Sequence, residues 1–357
     1  MLCKVICADV PGVAHQVISL LRFGPRDREF KEVSSRKANI SIGLDGMLGF
    51  FRFRSLLRGA RSDVIICWMY WSCLLTVLLA EHRRAIIWNI RHSLEDLSTE
   101  KPSTRLAIRL CAFLSSRSSA IIYCSRRSMA QHSELGFCQK RAIYIPNGFD
   151  VFVFQPKRHS QGAIRRKLGL PDGAIIVGQC VRYHPMKNQH GLLTAFAETA
   201  STCDNLYLVL AGRDVNAKNA ILVQAINELC LGERVRLLGM CDNMAELYPC
   251  LDIYVSASLW GEGFPNVLGE AMACGVPCIA TDVGDSAEVV GDTGKIVPPG
   301  DVLALRRALD ELIGLGRARR AALGAEARRR VEERFDIVQV AQSYANLAAA
   351  VASNRGK

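Results

Sequence analysis

The sequence predicts an α/β chain folded as two doubly wound domains, each built around a parallel sheet. The chain has 357 residues, 50% of them hydrophobic and 22% charged, which suits two domains with substantial cores. Short apolar runs rich in β-branched residues alternate with amphipathic helical stretches, as is typical of parallel sheets covered on both faces. Turn-forming residues cluster between residues 146 and 172, where the first domain would end.

The predicted strands are short and almost continuously apolar. They are residues 64–68, 85–90, 120–123, 141–145, 174–180, 206–211, 235–238, 253–256 and 277–281. The predicted helices include residues 191–199, 217–230, 244–250, 266–273, 302–315 and 318–334, with one more over 336–353. This order predicts an N-terminal domain at 1–155, a C-terminal domain at 156–335, and a C-terminal helix and tail at 336–357.

The basic residues are concentrated in the first part of the chain. The whole sequence carries 45 Lys and Arg against 34 Asp and Glu, a net charge of +11, and residues 1–150 account for +10 of it. This asymmetry suits nucleic acid, an anionic membrane surface or an acidic ligand, and an arginine-rich surface without a special partner is the alternative. No nucleic-acid-binding module or interleaving of basic and aromatic residues is visible, so we expect no nucleic acid partner.

The cysteines indicate a reducing compartment. There are 14 of them without a C-x-x-C pair, mostly inside apolar runs, which favours buried, reduced thiols over disulfides or a zinc site. No secretory leader pattern is visible, so we expect a cytoplasmic protein. Residues 64–80 lack charge, but 17 residues lie at the lower limit for a membrane span, and they also fit a strand at 64–68 and a helix at 71–80.

The stretch from Gly261 to Gly275 is the most informative candidate site. A predicted strand leads into a loop with Glu262, and a helix then begins near Asn266 and carries Glu270. Backbone N–H groups and the positive end of the helix dipole would suit a diphosphate there, while the two carboxylates could accept hydrogen bonds from hydroxyl groups. Acidic residues that merely complement the helix dipole are the alternative interpretation.

A second candidate site follows the predicted strand at 174–180. Arg182 and Lys187 flank a turn at Pro185, so both cations would lie at the carboxyl edge of a sheet. A guanidinium fork and an ammonium point charge could together hold a diphosphate. Two exposed loop cations without a ligand are the alternative.

Together these motifs resemble family 4 of the retaining nucleotide-sugar glycosyltransferases, whose GT-B fold has two Rossmann-like, doubly wound domains facing a cleft. The resemblance covers about residues 145–315 and rests on the segments 181–187, 209–213, 236–239, 262–277 and 294–301, with Glu262 and Glu270 in the E-x7-E spacing of the family. In the first half, Trp68-Met69-Tyr70, Arg91-His92-Ser93 and residues 145–150 are similar to the branch that builds bacterial surface polysaccharides, including lipopolysaccharide.

The resemblance implies transfer of a hexose from a nucleotide sugar to a glycan or lipid-linked acceptor, with retention and without metal or cofactor. Arg182 and Lys187 would hold the diphosphate, Glu262 the donor sugar, Glu270 the ribose, and His92 would face the sugar from the N-terminal domain. Further donor contacts are implied at Gly263, Phe264, Pro265, Asn266 and Val267. The absence of a D-x-D motif disfavours the metal-dependent GT-A type. The basic first half suits a peripheral position on an anionic membrane.

The N-terminus departs from the family pattern, because no Gly-Gly loop follows a first strand. Either residues 5–10 form the first strand and 14–23 a shortened helix, or residues 15–20 are already the second strand of the family and 40–44 the third. The second alternative, which we favour, leaves the N-terminal domain incomplete. A nucleotide-sugar-binding protein with impaired catalysis and a sugar-nucleotide epimerase therefore stay open as alternative functions.

Overall fold

The computed structural model of the protein describes residues 2–8, 10–20, 34–38, 44–81, 84–94 and 97–354. The chain forms two compact units, one of Met1–Gly148 together with Ile337–Lys357, and one of Phe149–Asp336. The first unit therefore gives way to the second at Gly148, inside the predicted turn region, rather than at residue 155.

The strands of the described chain pair in parallel throughout. They are β1 (Gln16–Ser19), β2 (Ser34–Lys37), β3 (Val64–Trp68), β4 (Ala85–Ile90), β5 (Ala120–Tyr123), β6 (Ala142–Tyr144), β7 (Ile175–Cys180), β8 (Leu206–Ala211), β9 (Val235–Leu237), β10 (Ile253–Ser256), β11 (Cys278–Thr281) and β12 (Gly294–Val297). The nine predicted strands are confirmed, while β2 and β12 were not predicted.

The α-helices cover the sheets. They are α1 (Leu2–Cys7), α2 (Leu44–Gly59), α3 (Tyr70–Leu79), α4 (Pro102–Leu114), α5 (Arg126–Glu134), α6 (Arg158–Lys167), α7 (Gln189–Ala200), α8 (Ala220–Glu228), α9 (Met244–Leu247), α10 (Asn266–Ala273), α11 (Ser286–Val290), α12 (Val302–Gly314), α13 (Gly316–Arg334) and α14 (Ile337–Ser353). The predicted helices are all present, and the last turn of the predicted helix 244–250 is a short 3-10 segment, Tyr248–Cys250.

The first unit is organised around the four-stranded sheet β3-β4-β5-β6. Alternate side chains of the central strand β4 pack into two separate hydrophobic cores, one on each face of the sheet. Trp88 and Ile90 pack with Ile108 and other residues of α3 and α4 on one face, whereas Ile87 packs with α14 on the other. The strand is buried along its whole length, which explains why its sequence is apolar apart from Asn89.

The helix α14 completes the first unit, although it follows the second unit in the chain. Ile337, Val340, Ala341 and Tyr344 form one apolar stripe at helical spacing, and all four are buried against the sheet of the first unit. The Tyr344 hydroxyl accepts a hydrogen bond of 2.9 Å from Nδ2 of Asn89 in β4. The sequence predicted this helix but assigned it to a separate tail at 336–357, because its partner sheet lies far away in sequence.

The N-terminal region contradicts one of the two sequence alternatives. Leu2–Cys7 is helical and Gln16–Ser19 is a strand, so the alternative with a strand at 5–10 and a helix from 14 is wrong. A strand at 15–20 is confirmed in its centre, and its parallel partner is Ser34–Lys37. Of the other predicted strand, residues 40–43 lie outside the described residues and Leu44 opens α2.

The second unit contains the six-stranded sheet β12-β11-β10-β7-β8-β9. The chain builds outward from β7 to β8 and β9, then returns to the other side of β7 and continues through β10 to β12. The strand order therefore reverses between β7 and β10, and the loops after these two strands diverge at their carboxyl ends. Within β7, a side chain on Gly178 would meet Leu251 Cδ1 at 2.3 Å, so glycine allows the segment before β10 to pack closely.

The uncharged stretch from residue 64 to 80 resolves into β3 and α3, as one of the two interpretations predicted. No described helix combines the length and apolar character that crossing a bilayer requires. Eight of the twelve cysteines with described side chains are buried, and all twelve are free thiols, in agreement with the predicted role in packing. Burial raises the pKa of the Cys111 thiol to about 12, which keeps it protonated.

A buried histidine links α5 to α3 in the first unit. The Nδ1–H of His132 donates to the Ser128 carbonyl at 2.7 Å, so Nε2 accepts from the Tyr70 hydroxyl at 2.8 Å. The side chain of His132 is fully buried, and this burial lowers its pKa from 6.5 to about 4. The folded protein therefore holds the ring neutral at pH values where an unfolded chain would protonate it.

We expect the first unit to lose stability as the pH falls from 6.5 towards 4, because only the unfolded chain gains a proton at residue 132 in that window. The loss should reach about 3 kcal/mol at the acid end and be absent above the upper value. Scanning calorimetry against pH measures it. His132→Gln should remove this part of the pH dependence, whereas His184→Gln, at an exposed histidine, should keep the wild-type profile; equal profiles for all three proteins would contradict the assignment.

Candidate functional site

The candidate site of the second unit lies where the strand order of its sheet reverses. The loop after β7 carries Arg182 and Lys187, and the loop after β10 carries Glu262. Because β7 and β10 are hydrogen-bonded neighbours, the two motifs that were recognised separately in the sequence lie side by side. Crevices of this kind, outside the carboxyl ends of parallel strands, are where open α/β sheets bind ligands.

An ion pair joins the two loops directly. Nζ of Lys187 donates to Oε1 of Glu262, and the two side chains are only 12% and 13% exposed. The Ser258 hydroxyl donates to the same carboxylate oxygen at 2.7 Å, and Nε2 of Gln179 donates to the Lys187 carbonyl at 3.0 Å. The opposite charges are therefore held in place by polar groups from both strand ends.

The loop that carries Glu262 rests on the backbone after β11. The Gly263 carbonyl accepts a hydrogen bond of 2.8 Å from the Asp285 N–H. Gly284 has a φ of +59°, and a side chain there would lie 2.3 Å from the Glu262 carbonyl oxygen. The position therefore needs glycine for its left-handed backbone and for the close approach of the loop.

Glu270 lies on α10, about one turn into the helix that follows this loop. The Tyr248 hydroxyl lies 3.4 Å from Oε2 of Glu270 and donates to it. Tyr248 is almost fully buried, and burial raises the pKa of its hydroxyl well above the ordinary value, so the hydroxyl stays protonated as a donor. Tyr248, which lies outside every motif recognised in the sequence, thereby helps to orient the Glu270 carboxylate.

The segment from Gly263 to Val267 contains both core and exposed residues. The ring of Phe264 is buried and lies 6.2 Å from Phe149 and 5.4 Å from Phe335, centroid to centroid, so this side chain belongs to the core. Pro265 is the N-cap of α10 and makes no side-chain cap to the first N–H groups of the helix. Asn266 opens the helix with an exposed side chain, and Val267 follows half-buried.

Arg182 has an exposed side chain, while its backbone is fixed. Nε2 of the buried Gln189 donates to the Arg182 carbonyl at 3.0 Å, and the next residue, Tyr183, donates its N–H to the Arg213 carbonyl at 2.8 Å. The guanidinium can thus change its rotamer while its Cα stays in place, which is a useful property in a residue that would close over a ligand.

His92 belongs to the first unit and follows the end of β4. Its Nε2 lies 2.7 Å from Oε1 of Glu100, and its ring meets Tyr70 edge-on, with centroids 6.2 Å apart. The Ser128 hydroxyl also donates to the His92 carbonyl at 2.5 Å. The sequence singled out His92 but not Glu100, which lies eight residues later beyond a short 3-10 turn.

Two family models match the chain, one in each half. Residues 6–151 match the model of glycosyltransferase family 4, and residues 160–330 match that of glycosyl transferases group 1. N-acetyl-alpha-D-glucosaminyl L-malate synthase of Bacillus anthracis is 31% identical over 56% of this chain and 51% of its own length. A phosphatidyl-myo-inositol mannosyltransferase of Mycobacterium leprae is 32% identical over 58% and 54%. The chain thus spans about half the length of these two relatives.

A lipopolysaccharide core biosynthesis mannosyltransferase, LpsB of Rhizobium meliloti, is 29% identical over 65% of this chain and 66% of its own length. Among solved structures, HepE of Anabaena in complex with UDP-glucose superimposes with a TM-score of 0.82 at 22% identity, covering 98% of this chain and 95% of that one. Sucrose-phosphate synthase of Thermosynechococcus elongatus gives 0.77 at 22% identity, covering 98% and 92%. These likenesses, with the two Rossmann-like parallel sheets, confirm the predicted GT-B fold.

We expect Gly284→Ala to destabilise the second unit more than Gly300→Ala, although both glycines have a positive φ. Gly300 has room, with its nearest neighbour, Leu259 Cδ2, at 3.6 Å from an added methyl group, whereas Gly284 meets backbone. The control substitution should cost about 1 kcal/mol for its left-handed conformation, and Gly284→Ala at least about twice that. Urea unfolding measures both. Equal losses would show that the loop at Glu262 moves aside freely.

Proposed function

We propose that the protein is a glycosyltransferase that transfers a hexose from a nucleotide sugar to a glycan or lipid-linked acceptor with retention of configuration, in keeping with the models of glycosyltransferase family 4 and glycosyl transferases group 1 that its two halves match. The observation that supports this most directly is the meeting of the Arg182–Lys187 loop with the Glu262 loop at the strand-order reversal. Such a position suits a nucleotide.

The diphosphate of the donor would bind to cations and to a helix terminus. Lys187 is paired with Glu262, and a diphosphate would compete for its ammonium group with more than one negative charge. Arg182, exposed on a fixed backbone, could add a bidentate contact. The first N–H groups of α10 receive no cap from the Pro265 side chain, and they lie at the positive end of the helix dipole. This end of the helix faces the same region.

The carboxylates would recognise hydroxyl groups. Glu270, oriented by Tyr248, would accept hydrogen bonds from the ribose, and Glu262, once Lys187 turns to the diphosphate, would accept from the donor sugar. Gly263, Phe264, Asn266 and Val267 would contribute backbone N–H groups. Pro265 has no N–H and would contribute only shape.

The reaction would proceed through an oxocarbenium-like transition state as the nucleoside diphosphate leaves. We propose that no metal takes part, and that Lys187, Arg182 and the α10 dipole stabilise the developing negative charge on the diphosphate. The acceptor would attack on the face from which the diphosphate departs, and a departing phosphate oxygen would take its proton. His92, held by Glu100, would contact the sugar from the first unit.

The acceptor proposal draws support from the relatives and from charge. Two of them are named for lipopolysaccharide core and phosphatidylinositol substrates, which are membrane components. The first 150 residues of this chain carry nearly all of its net positive charge. We therefore propose a role in cell-surface polysaccharide synthesis, peripheral on the inner, cytoplasmic face of the membrane.

Two other functions use the same donor site and differ in outcome. A nucleotide-sugar binder would bind the donor without transfer to any acceptor, and an epimerase would interconvert nucleotide sugars without an acceptor. Thermal-shift screening against UDP- and GDP-sugars identifies the donor first, because a ligand at about 100 times its dissociation constant adds about 2.7 kcal/mol of stability. Product analysis with and without added glycolipid then separates the three functions.

We expect Lys187→Ala and Glu270→Ala each to lower turnover at least ~100-fold, since each removes a preorganised contact to the diphosphate or the ribose. Steady-state transfer from the donor found by the screen measures the effect. Lys218→Ala is the matched control, because Lys218 is an exposed lysine of the same unit outside the site, and it should keep the wild-type rate. Near-wild-type turnover in both site variants would overturn the assignment of these residues.

A further inference from the structure

The outer face of α4 is apolar where a surface helix is normally polar. Leu106, Leu110 and Phe113 are 55%, 39% and 82% exposed, and their spacing of four and three residues places them in one stripe. The opposite side of the helix, with Ile108 and Cys111, is buried in the core of the first unit. The helix therefore has two apolar faces, of which only one has a partner within the described chain.

The neighbouring helix α3 extends this surface. Leu74 of α3 packs in the same core as α4, whereas Leu75 packs with Phe53 of α2, so α3 lies between the two helices. Its outward line consists of Trp71 and Leu78, which are 44% and 56% exposed. The helix contains no charged residue at all, so nothing on it offsets these apolar side chains.

The charge along α4 and the residues that directly follow it has a single sign. Residues 101–119 contain Lys101, Arg105, Arg109 and Arg117 and no carboxylate. Throughout the part of the chain that the structure describes, none of the four forms an ion pair with an acidic side chain. An interface that buried this face against an ordinary protein surface would leave four cations to be neutralised by the partner.

We infer that α4, with Trp71 and Leu78 of α3, is the surface by which the protein docks on an anionic lipid bilayer. Leu106, Leu110 and Phe113 would enter the boundary between headgroups and acyl chains, while the arginines, with their long stems, would reach the lipid phosphates. Each basic residue near such a surface contributes about a fivefold gain in affinity, so four of them with five apolar side chains suffice for reversible binding. The inference rests on the proposed function in one respect: docking of this surface on a bilayer would bring a lipid-linked acceptor close to the first unit.

Vesicle flotation tests the surface, with phosphatidylcholine alone and with phosphatidylcholine mixed with phosphatidylglycerol. The full chain should float with the mixed vesicles and much less with phosphatidylcholine alone, and added salt should release it. Arg109→Glu combined with Arg117→Glu should weaken binding to mixed vesicles at least about tenfold. Leu106→Ser combined with Phe113→Ser should weaken it as well, with less dependence on salt.

The matched control is Leu303→Ser with Arg307→Glu, an exposed leucine and arginine on α12 of the second unit. It should leave vesicle binding unchanged. Donor binding, measured without lipid by thermal shift, should be unchanged in every variant, so failure of the donor site and failure of the docking surface give different results. Absence of wild-type flotation, equal loss in the control, or a wild-type dimer that the α4 variants convert to monomers without any vesicle binding would each overturn the inference.

Discussion

Strands β7 and β10 lie side by side although β8 and β9 separate them in the chain, and the candidate site of the second unit depends on this pairing. A chain that makes parallel crossovers of one hand must return across its first strand to extend the sheet on the other side. The loops after these two strands then diverge, and the ion pair between Lys187 and Glu262 spans the resulting gap. The same geometry brings the N-terminus of α10 to the edge where the two loops end.

The elements that the sequence predicts well are those whose burial is complete. Strand β4 is covered on both faces, so every residue must be apolar or internally satisfied, and the run stands out in the sequence. Strand β2, with the sequence SSRK, has no such run, and among the described residues its one partner is β1, so the sequence pattern could not reveal it. Strand β12 is an edge strand with an exposed Ile296 and escaped notice for the same reason.

The residues of the candidate site also fall into two groups, those that the sequence singled out and those that only the structure revealed. The sequence singled out Lys187, Glu262 and Glu270 because each of them lies in a short motif whose residues have a fixed spacing. It did not single out Tyr248 and Glu100, because each reaches its partner through the fold, and a lone tyrosine or glutamate has no distinguishing neighbours in the sequence. Tertiary hydrogen bonds of this kind orient functional groups, so the residues that tune a site are harder to read from sequence than those that define it.

The return of α14 to the first unit has a consequence for how the chain is made. During synthesis, the second unit is continuous and can fold as soon as Asp336 has left the ribosome, whereas one face of the first sheet, with Ile87 and Ile122, lacks the cover of α14 until Tyr344 arrives. The earliest-made half of the protein is thus the last to be finished. A ribosome that stopped before α14 would release a complete second unit joined to an aggregation-prone first unit, and chaperones and proteases would detect this failure in the half that carries most of the positive charge.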